Sequence, residues 1–90
     1  MLKNLEDLIK TIRDRKNSSP SQSYTSKLLN DKNLSVSKVK EEVVELIEAV
    51  EKNTNKIHES ADVIYHLLVY LEANNIKIED VMEELGKRKK

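Results

Sequence analysis

The segment from Ala61 to Ala73, ADVIYHLLVYLEA, is apolar on nearly every side when it is drawn as an α-helix. A helix that faces solvent needs only one apolar stripe, so this pattern is typical of a helix that is buried on most sides. A chain of 90 residues has few other elements with which to cover such a helix. The segment therefore favours an all-α fold that is completed by homodimerisation.

Turn-forming residues divide the rest of the chain into helices. Pro20, the only proline, lies in the polar run 17–22, and the run 53–55 is Asn-Thr-Asn. We expect residues 30–37 to be a polar, mobile stretch, and we expect residues 1–90 to form a single domain, a bundle of about four helices. Periodic apolar residues predict these helices over about residues 2–16, from Ser35 or Ser37 to Lys52, over 56–73 and over 79–87, with a brief helical turn at Leu28 and Leu29.

Composition excludes several classes of function. The chain has no cysteine, which excludes disulfides, thiolate metal sites and cysteine nucleophiles. Its 16 basic and 16 acidic residues cancel, so we expect no nucleic-acid partner. The only glycine is Gly86, so a glycine-rich phosphate loop is excluded. No apolar run approaches the ~20 residues that span a bilayer and no signal peptide is evident, so we expect a cytoplasmic protein without a membrane partner.

Four carboxylates are the clearest functional feature. Glu42 and Glu45 lie three residues apart on one predicted helix, and Glu59 and Asp62 lie three residues apart on the next. Side chains at this spacing share a helix face. Two such pairs facing each other predict a Mg²⁺ site, because this hard cation takes carboxylate oxygens, waters and substrate phosphates. Mn²⁺ is also possible, whereas a di-iron site is disfavoured because the chain lacks paired Glu-x-x-His motifs.

The position of Glu42 and Glu45 on the earlier helix leaves a second interpretation of these two residues open. An apolar stripe predicts its buried face, and Glu42 and Glu45 flank that face, while Glu41 and Glu48 point further toward solvent. Any single glutamate on an amphipathic helix more often belongs to a solvated face. The stripe consists of Val36, Val39, Val43, Leu46, Ile47 and Val50.

On the later helix, Glu59, Asp62, His66 and Tyr70 fall on one polar strip within apolar surroundings. A buried ionised carboxylate needs a cation, so the strip favours metal binding. Alternatively, Asp62 pairs with His66 or with a lysine of another helix. His66 itself is more often a hydrogen-bonded core residue than a ligand in such a position.

These motifs resemble a known superfamily. The run EEVVE at 41–45 and ESAD at 59–62 are similar to the EExxE and ExxD signature of the all-α nucleotide pyrophosphohydrolases, which include MazG-like and dimeric dUTPase-like enzymes. Three blocks resemble the phosphoribosyl-ATP pyrophosphohydrolase family of histidine biosynthesis more specifically, and together they span nearly the whole chain. They are LIKTIRDRK with Pro20 and SYT at 23–25, KVKEEVVE at 38–45, and ADVIYHLLVYL at 61–71.

The resemblance implies a MazG-like helical bundle and Mg²⁺-dependent hydrolysis of the α–β phosphoanhydride of phosphoribosyl-ATP, which yields phosphoribosyl-AMP and pyrophosphate. It implies metal ligation by Glu42, Glu45, Glu59 and Asp62, and it makes Glu41 the candidate to orient or deprotonate the attacking water, so that the expected catalytic residues are Glu41, Glu42 and Glu45. The residues expected to donate hydrogen bonds to the substrate are Arg15, Tyr24, Thr25, Lys27 and Lys38.

Some features leave alternatives. Tyr24 can instead pack and Thr25 can instead cap a helix. The family usually has glycine before the paired glutamates and another after SYT, where this chain has Lys40 and either Lys32 or Asn33. A MazG-type house-cleaning nucleoside-triphosphate pyrophosphohydrolase would share the four carboxylates without needing SYT, and a non-enzymatic helical dimerisation module would use them only for solubility.

Overall fold

The computed structural model describes residues 1–89, and this part of the chain contains α-helices and no strand. The all-α prediction is confirmed. Residues 1–89 contain five helices rather than about four, because the brief turn expected at Leu28 and Leu29 is a complete short helix. The helices are α1 (Lys3–Arg15), α2 (Tyr24–Leu29), α3 (Lys32–Lys52), α4 (Lys56–Ala73) and α5 (Ile78–Lys87).

The start of α3 differs from the prediction. The helix begins at Lys32, after Asp31, whose side chain accepts a hydrogen bond of 3.0 Å from the backbone N–H of Leu34. Aspartate at this position satisfies one of the free amides of the first turn. Leu34 then packs against the core, so the expectation of a mobile stretch over 30–37 is wrong.

Two hydrogen bonds and one buried side chain fix the position of the short helix α2. The hydroxyl of Ser23 accepts a hydrogen bond of 3.2 Å from the backbone N–H of Ser26 and caps the helix. The hydroxyl of Ser26 donates to the backbone carbonyl of Ser18, which attaches the preceding loop to α2. Leu28 is completely buried, so the helix is anchored in the core. These contacts determine where Tyr24 and Thr25 lie.

The core is small. Ile12 of α1, Leu28 of α2 and Val69 of α4 form one buried cluster. The turn at 53–55 joins α3 to α4 as a helical hairpin, and Asn53 and Asn55 there have positive φ angles of 56° and 45°. Asparagine tolerates this left-handed conformation better than most residues. The hairpin is the most extensive helix pair in the described chain and places the two pairs of carboxylates side by side.

The apolar stripe of α3 is not buried by the chain itself. Val43, Ile47 and Val50 are 38%, 54% and 57% exposed in the single chain, so the chain itself does not bury the face that the stripe predicts. A similar strip of α4, formed by Ile57, Ile64 and Leu67, is also exposed. Periodicity shows that a face is apolar, but it does not show what covers the face. No helix within the described residues is long and apolar enough to span a membrane.

Ion pairs join α1 to α4 and α5. The Arg13 guanidinium donates two hydrogen bonds, of 2.9 and 2.6 Å, to the carboxylate of Glu79. It also lies 3.6 Å from Glu72, which forms an ion pair of 2.7 Å with Lys16. The Arg13 hydrogen bonds lower the pKa of Glu79 to about 2. This network connects α1, α4 and α5.

Candidate active site

The hairpin of α3 and α4 brings the predicted metal ligands together. One carboxylate oxygen from each of Glu42, Glu45 and Glu59 lies within 4.8 Å of the others. A second group of the same dimension contains Glu59, Asp62 and His58. Because Glu59 belongs to both groups, the four carboxylates expected from the i, i+3 spacing form one continuous cluster. Their role as metal ligands stays a prediction.

Two oxygens of this cluster are buried without a partner. Within the described residues, Oε2 of Glu42 and Oε2 of Glu59 are inaccessible to solvent and accept no hydrogen bond. Burial raises the pKa of Glu42 to about 7, and the negative charges of Glu45, Asp62 and Glu59 add to the effect. Burial also raises the pKa of Glu59.

The arrangement fits a hard divalent cation. Buried carboxylate oxygens without a hydrogen-bond partner are costly. A cation in contact with them supplies the missing interaction and neutralises the repulsion between the carboxylates. Oxygen donors from carboxylates suit Mg²⁺ and Mn²⁺. The donor set therefore supports the class of ion that the sequence predicts.

Sequence reasoning missed His58. Its Nε2 lies 3.4 Å from Oδ2 of Asp62, one helical turn further along α4, and the side chain is 72% exposed. The i, i+4 spacing of the two residues was the available signal. The alternative in which Asp62 pairs with His66 is wrong, because Nδ1 of His66 contacts the backbone carbonyl of Asp62 and not its carboxylate.

Glu41 lies outside the carboxylate cluster, on the exposed side of α3. Nζ of Lys38 donates to it at 2.9 Å, and this hydrogen bond raises the pKa of Lys38. Both groups are close enough to Tyr24 to influence its pKa, although burial is the main reason why that pKa is raised. Lys40, at the position where the family usually has glycine, is exposed.

Tyr24 and Thr25 are held by two consecutive residues of α4. The Thr25 hydroxyl is hydrogen-bonded to the Tyr65 hydroxyl, and the Tyr24 hydroxyl lies 3.4 Å from Nε2 of His66. Tyr24 is 47% exposed, so it is not a core residue. The helix is capped by Ser23, so the alternative in which Thr25 acts as the cap is wrong. Burial lowers the pKa of His66.

An open pocket of about 520 Å³ lies beside this contact. Its volume is in the range of small-molecule sites. Lys27 is exposed on α2, and among residues 1–89 no hydrogen bond or ion pair of its side chain connects it to the pocket or to the carboxylates. The pocket is lined by Arg15, Ser18, Gln22, Ser23, Tyr24 and Thr25.

An all-α chain with a carboxylate-rich helical hairpin, and with a polar pocket between the end of α1 and the start of α2, has the features of an all-α nucleotide pyrophosphohydrolase. Comparison with known proteins identifies the family: the chain belongs to the phosphoribosyl-ATP pyrophosphohydrolases, whose sequence profile matches residues 5–89. The resemblance expected from the EEVVE, ESAD and SYT motifs is therefore confirmed.

Relatives from bacteria and archaea match nearly the whole chain, and each is named phosphoribosyl-ATP pyrophosphatase. The chain is 44% identical over 87 residues to the protein of Allorhizobium ampelinum, covering 93% of this chain and 84% of that protein. It is 45% identical over 92 residues to the Clostridium novyi protein, covering 96% and 81%. It is 39% identical over 90 residues to the Haloarcula marismortui protein, covering 94% and 92%. No solved structure matches the chain significantly.

Proposed function

We propose that this chain hydrolyses the α–β phosphoanhydride of phosphoribosyl-ATP to phosphoribosyl-AMP and pyrophosphate, the second step of histidine biosynthesis, with Mg²⁺ or Mn²⁺ as the cofactor. One observation supports this most strongly. In a chain of this family, Glu42, Glu45 and Glu59 converge within 4.8 Å, and two of them keep a buried oxygen without a partner.

In this proposal, Glu42, Glu45, Glu59 and Asp62 hold the divalent cation. When bound, the cation supplies positive charge for the phosphates and for the pyrophosphate leaving group. The protein contributes a fixed set of carboxylates on two adjoining helices, and burial, together with the negative charges of the neighbouring carboxylates, raises the pKa of Glu42. Binding of the cation is therefore coupled to loss of the proton that Glu42 holds near neutral pH.

The remaining roles divide between two groups of residues. Glu41, outside the cluster, orients or deprotonates the attacking water, and Lys38 keeps its carboxylate in place through the 2.9 Å hydrogen bond. Arg15 and Thr25 line the pocket and supply donors to the substrate. A contribution of Lys27 to substrate binding stays a prediction, without a supporting contact.

We also propose that two copies of the chain form a homodimer. In the described residues only four hydrophobic side chains are buried, those of Ile12, Leu28, Ala49 and Val69. Ile47 and Val50 of α3, and Ile64 and Leu67 of α4, are between 42% and 57% exposed. A second copy packed on this hairpin would remove these side chains from water. A cytoplasmic location and the lack of a nucleic-acid partner stay predictions.

The proposed activity is tested by measuring pyrophosphate release from phosphoribosyl-ATP, ATP, dUTP and the other nucleoside triphosphates, each with Mg²⁺ and with a chelator. We expect Mg²⁺-dependent release from phosphoribosyl-ATP far above that from the ordinary triphosphates. Comparable release from several triphosphates would instead indicate a MazG-type house-cleaning enzyme. No release from any substrate would indicate a non-enzymatic module and contradict the proposal.

A further inference from the structure

The hydrogen-bonding pattern of His66 fixes its tautomer. Nδ1 lies 3.3 Å from the backbone carbonyl oxygen of Asp62, and a carbonyl oxygen can only accept, so Nδ1 holds a hydrogen. At pH 8 an imidazole with an ordinary pKa of about 6.5 is neutral. The side chain is also 8% exposed, with no carboxylate hydrogen-bonded to it among the described residues. Nε2 therefore presents a lone pair and no hydrogen.

This tautomer determines what the Tyr24 hydroxyl can do. Its oxygen lies 3.4 Å from Nε2 of His66. Since Nε2 can only accept, the hydroxyl donates its single hydrogen to His66, and the Tyr24 oxygen keeps only acceptor capacity. The neighbouring hydrogen bond between Thr25 and Tyr65 holds the same turn of α2 against α4. Tyr24 lines the pocket, and its hydroxyl is held against α4 as an oriented acceptor.

As an acceptor, the Tyr24 oxygen can bind only a hydrogen-bond donor of the substrate. A site for a polyphosphate would instead have to offer donors. Ionised phosphate oxygens also only accept, so they cannot pair with Tyr24 while it is bonded to His66. Hydroxyl groups of a ribose and N–H groups of a base can donate. We infer that Tyr24 is a specificity residue for a hydrogen-bond donor on the nucleoside part of the substrate, and that His66 is the positioning residue that sets its polarity. This inference rests on the proposed function, since it concerns the substrate of the same site.

The first test compares ligands in Tyr24→Phe and the unaltered protein by calorimetry at pH 8 with Mg²⁺. Loss of one neutral hydrogen bond weakens binding about three- to tenfold. We expect this loss for phosphoribosyl-AMP, and none for pyrophosphate. Weaker pyrophosphate binding with unchanged phosphoribosyl-AMP binding would overturn the inference, as would a failure of the unaltered protein to bind phosphoribosyl-AMP measurably.

The second test separates the two nitrogens of His66. Asparagine can place an amide near the position of Nδ1 only, whereas glutamine can place an amide oxygen near that of Nε2 and can accept from Tyr24. We expect His66→Asn to weaken phosphoribosyl-AMP binding as much as Tyr24→Phe does, and His66→Gln to restore most of it. Adding Tyr24→Phe to His66→Asn should cause no further loss, whereas additive losses would contradict a shared hydrogen bond. Thermal melts of each variant separate these effects from unfolding.

Nucleotide analogues identify the donor. Binding of AMP, 2′-deoxy-AMP, 3′-deoxy-AMP and inosine monophosphate is measured in both proteins, and the analogue that lacks the donor should show no penalty from Tyr24→Phe. A penalty on phosphoribosyl-AMP but not on AMP places the donor on the second ribose. These binding experiments need no turnover, so failure to hydrolyse phosphoribosyl-ATP contradicts the proposed function, whereas a penalty confined to pyrophosphate contradicts only the role of Tyr24.

Discussion

Glu42 of α3 and Glu59 of α4 approach within 4.8 Å across the helical hairpin, and each has a buried oxygen that accepts no hydrogen bond in the part of the chain described. Two buried like charges this close oppose folding unless a proton or a cation neutralises them. The arrangement that suits a divalent cation therefore destabilises the folded protein when no cation is bound. The first two predictions test this relationship.

We predict that Mg²⁺ raises the melting temperature. A ligand that binds only the folded state stabilises it by about 2.7 kcal/mol at a hundredfold excess over Kd. For a domain of this size each kcal/mol corresponds to roughly 4 to 8 °C. The shift is measured by calorimetry in Mg²⁺ and in chelator, with pyrophosphate added as well, because the phosphates contribute ligands that strengthen binding of the cation.

The control for this prediction is the double variant Glu45→Gln with Glu59→Gln. Removing two negative charges should raise its melting temperature in chelator above that of the unaltered protein, because repulsion within the cluster falls. The Mg²⁺-dependent shift should then disappear. If the double variant kept the shift, the metal site would lie elsewhere.

Glu42 predicts a pH dependence of stability in the metal-free protein. Its pKa in the folded state is about 7, above the ordinary 4.5, so the folded state holds the proton more tightly than the unfolded state. Below about 4.5 both states are protonated and the carboxyl costs nothing. As the pH rises from there to about 7, the free energy of unfolding should fall, and above about 7 its contribution should be constant.

Urea denaturation in chelator between pH 4.5 and 8 measures this effect. Glu42→Gln resembles the protonated carboxyl, so its advantage over the unaltered protein should grow across that range. Glu48→Gln, on the exposed side of the same helix, serves as the matched control and should follow the unaltered protein. If the free energy of unfolding depended on pH in the same way in Glu42→Gln and in the unaltered protein, the pKa of Glu42 would not be raised in the folded state.

The ion pair between Arg13 and Glu79 predicts the opposite pH dependence, because its contribution to stability should be lost as the pH falls. The pKa of Glu79 is lowered to about 2 from 4.5, so its contribution to stability is fully present above about 4.5 and is lost as the pH falls toward 2. Glu79→Gln should therefore melt below the unaltered protein at pH 6, and the difference should shrink between pH 4.5 and 3. Glu83→Gln, whose partner Lys87 lies on the same helix, is the control. A difference that does not change with pH would mean that packing, and not charge, is responsible.

The exposed apolar strip on α3 predicts that a charged side chain placed there prevents dimerisation. Ile47→Glu, at a position 54% exposed in the single chain, should leave the fold intact but convert a dimer at micromolar concentration into a monomer, because a buried unpaired carboxylate is costly. Leu85→Glu on α5, at a position 55% exposed, is the matched control and should remain dimeric. Sedimentation equilibrium distinguishes the two. An unaltered protein that sediments as a folded monomer would contradict the proposed homodimer.

Local patterns predicted most of the fold and the carboxylate cluster. The limits of α1 and α4 and the pairing of Glu42 with Glu59 follow from helical periodicity and from the short turn at 53–55, which forces the two helices into a hairpin. The start of α3 lies earlier than periodicity predicts, because Asp31 caps the helix and apolar residues are sparse in its first turns.

Contacts between distant residues had no comparable signal. Thr25 and Tyr65 are separated by 40 residues, and nothing in either local pattern indicates that their hydroxyls meet. The exposure of Ile47 was equally hidden, since an apolar stripe looks the same whether the chain itself or a second copy covers it. Both depend on how helices are placed in three dimensions.

The central claim is that the α3–α4 carboxylates form the metal site of a phosphoribosyl-ATP pyrophosphohydrolase, and turnover of nearly isosteric variants tests it most directly. Glu42→Gln and Asp62→Asn should each lose about a hundredfold or more in pyrophosphate release from phosphoribosyl-ATP at saturating Mg²⁺, with helicity unchanged, because even outer-sphere changes cost 10- to 100-fold at metal sites. Glu48→Gln, prepared in parallel, should retain full activity. Near-normal turnover by both Glu42→Gln and Asp62→Asn would contradict the account.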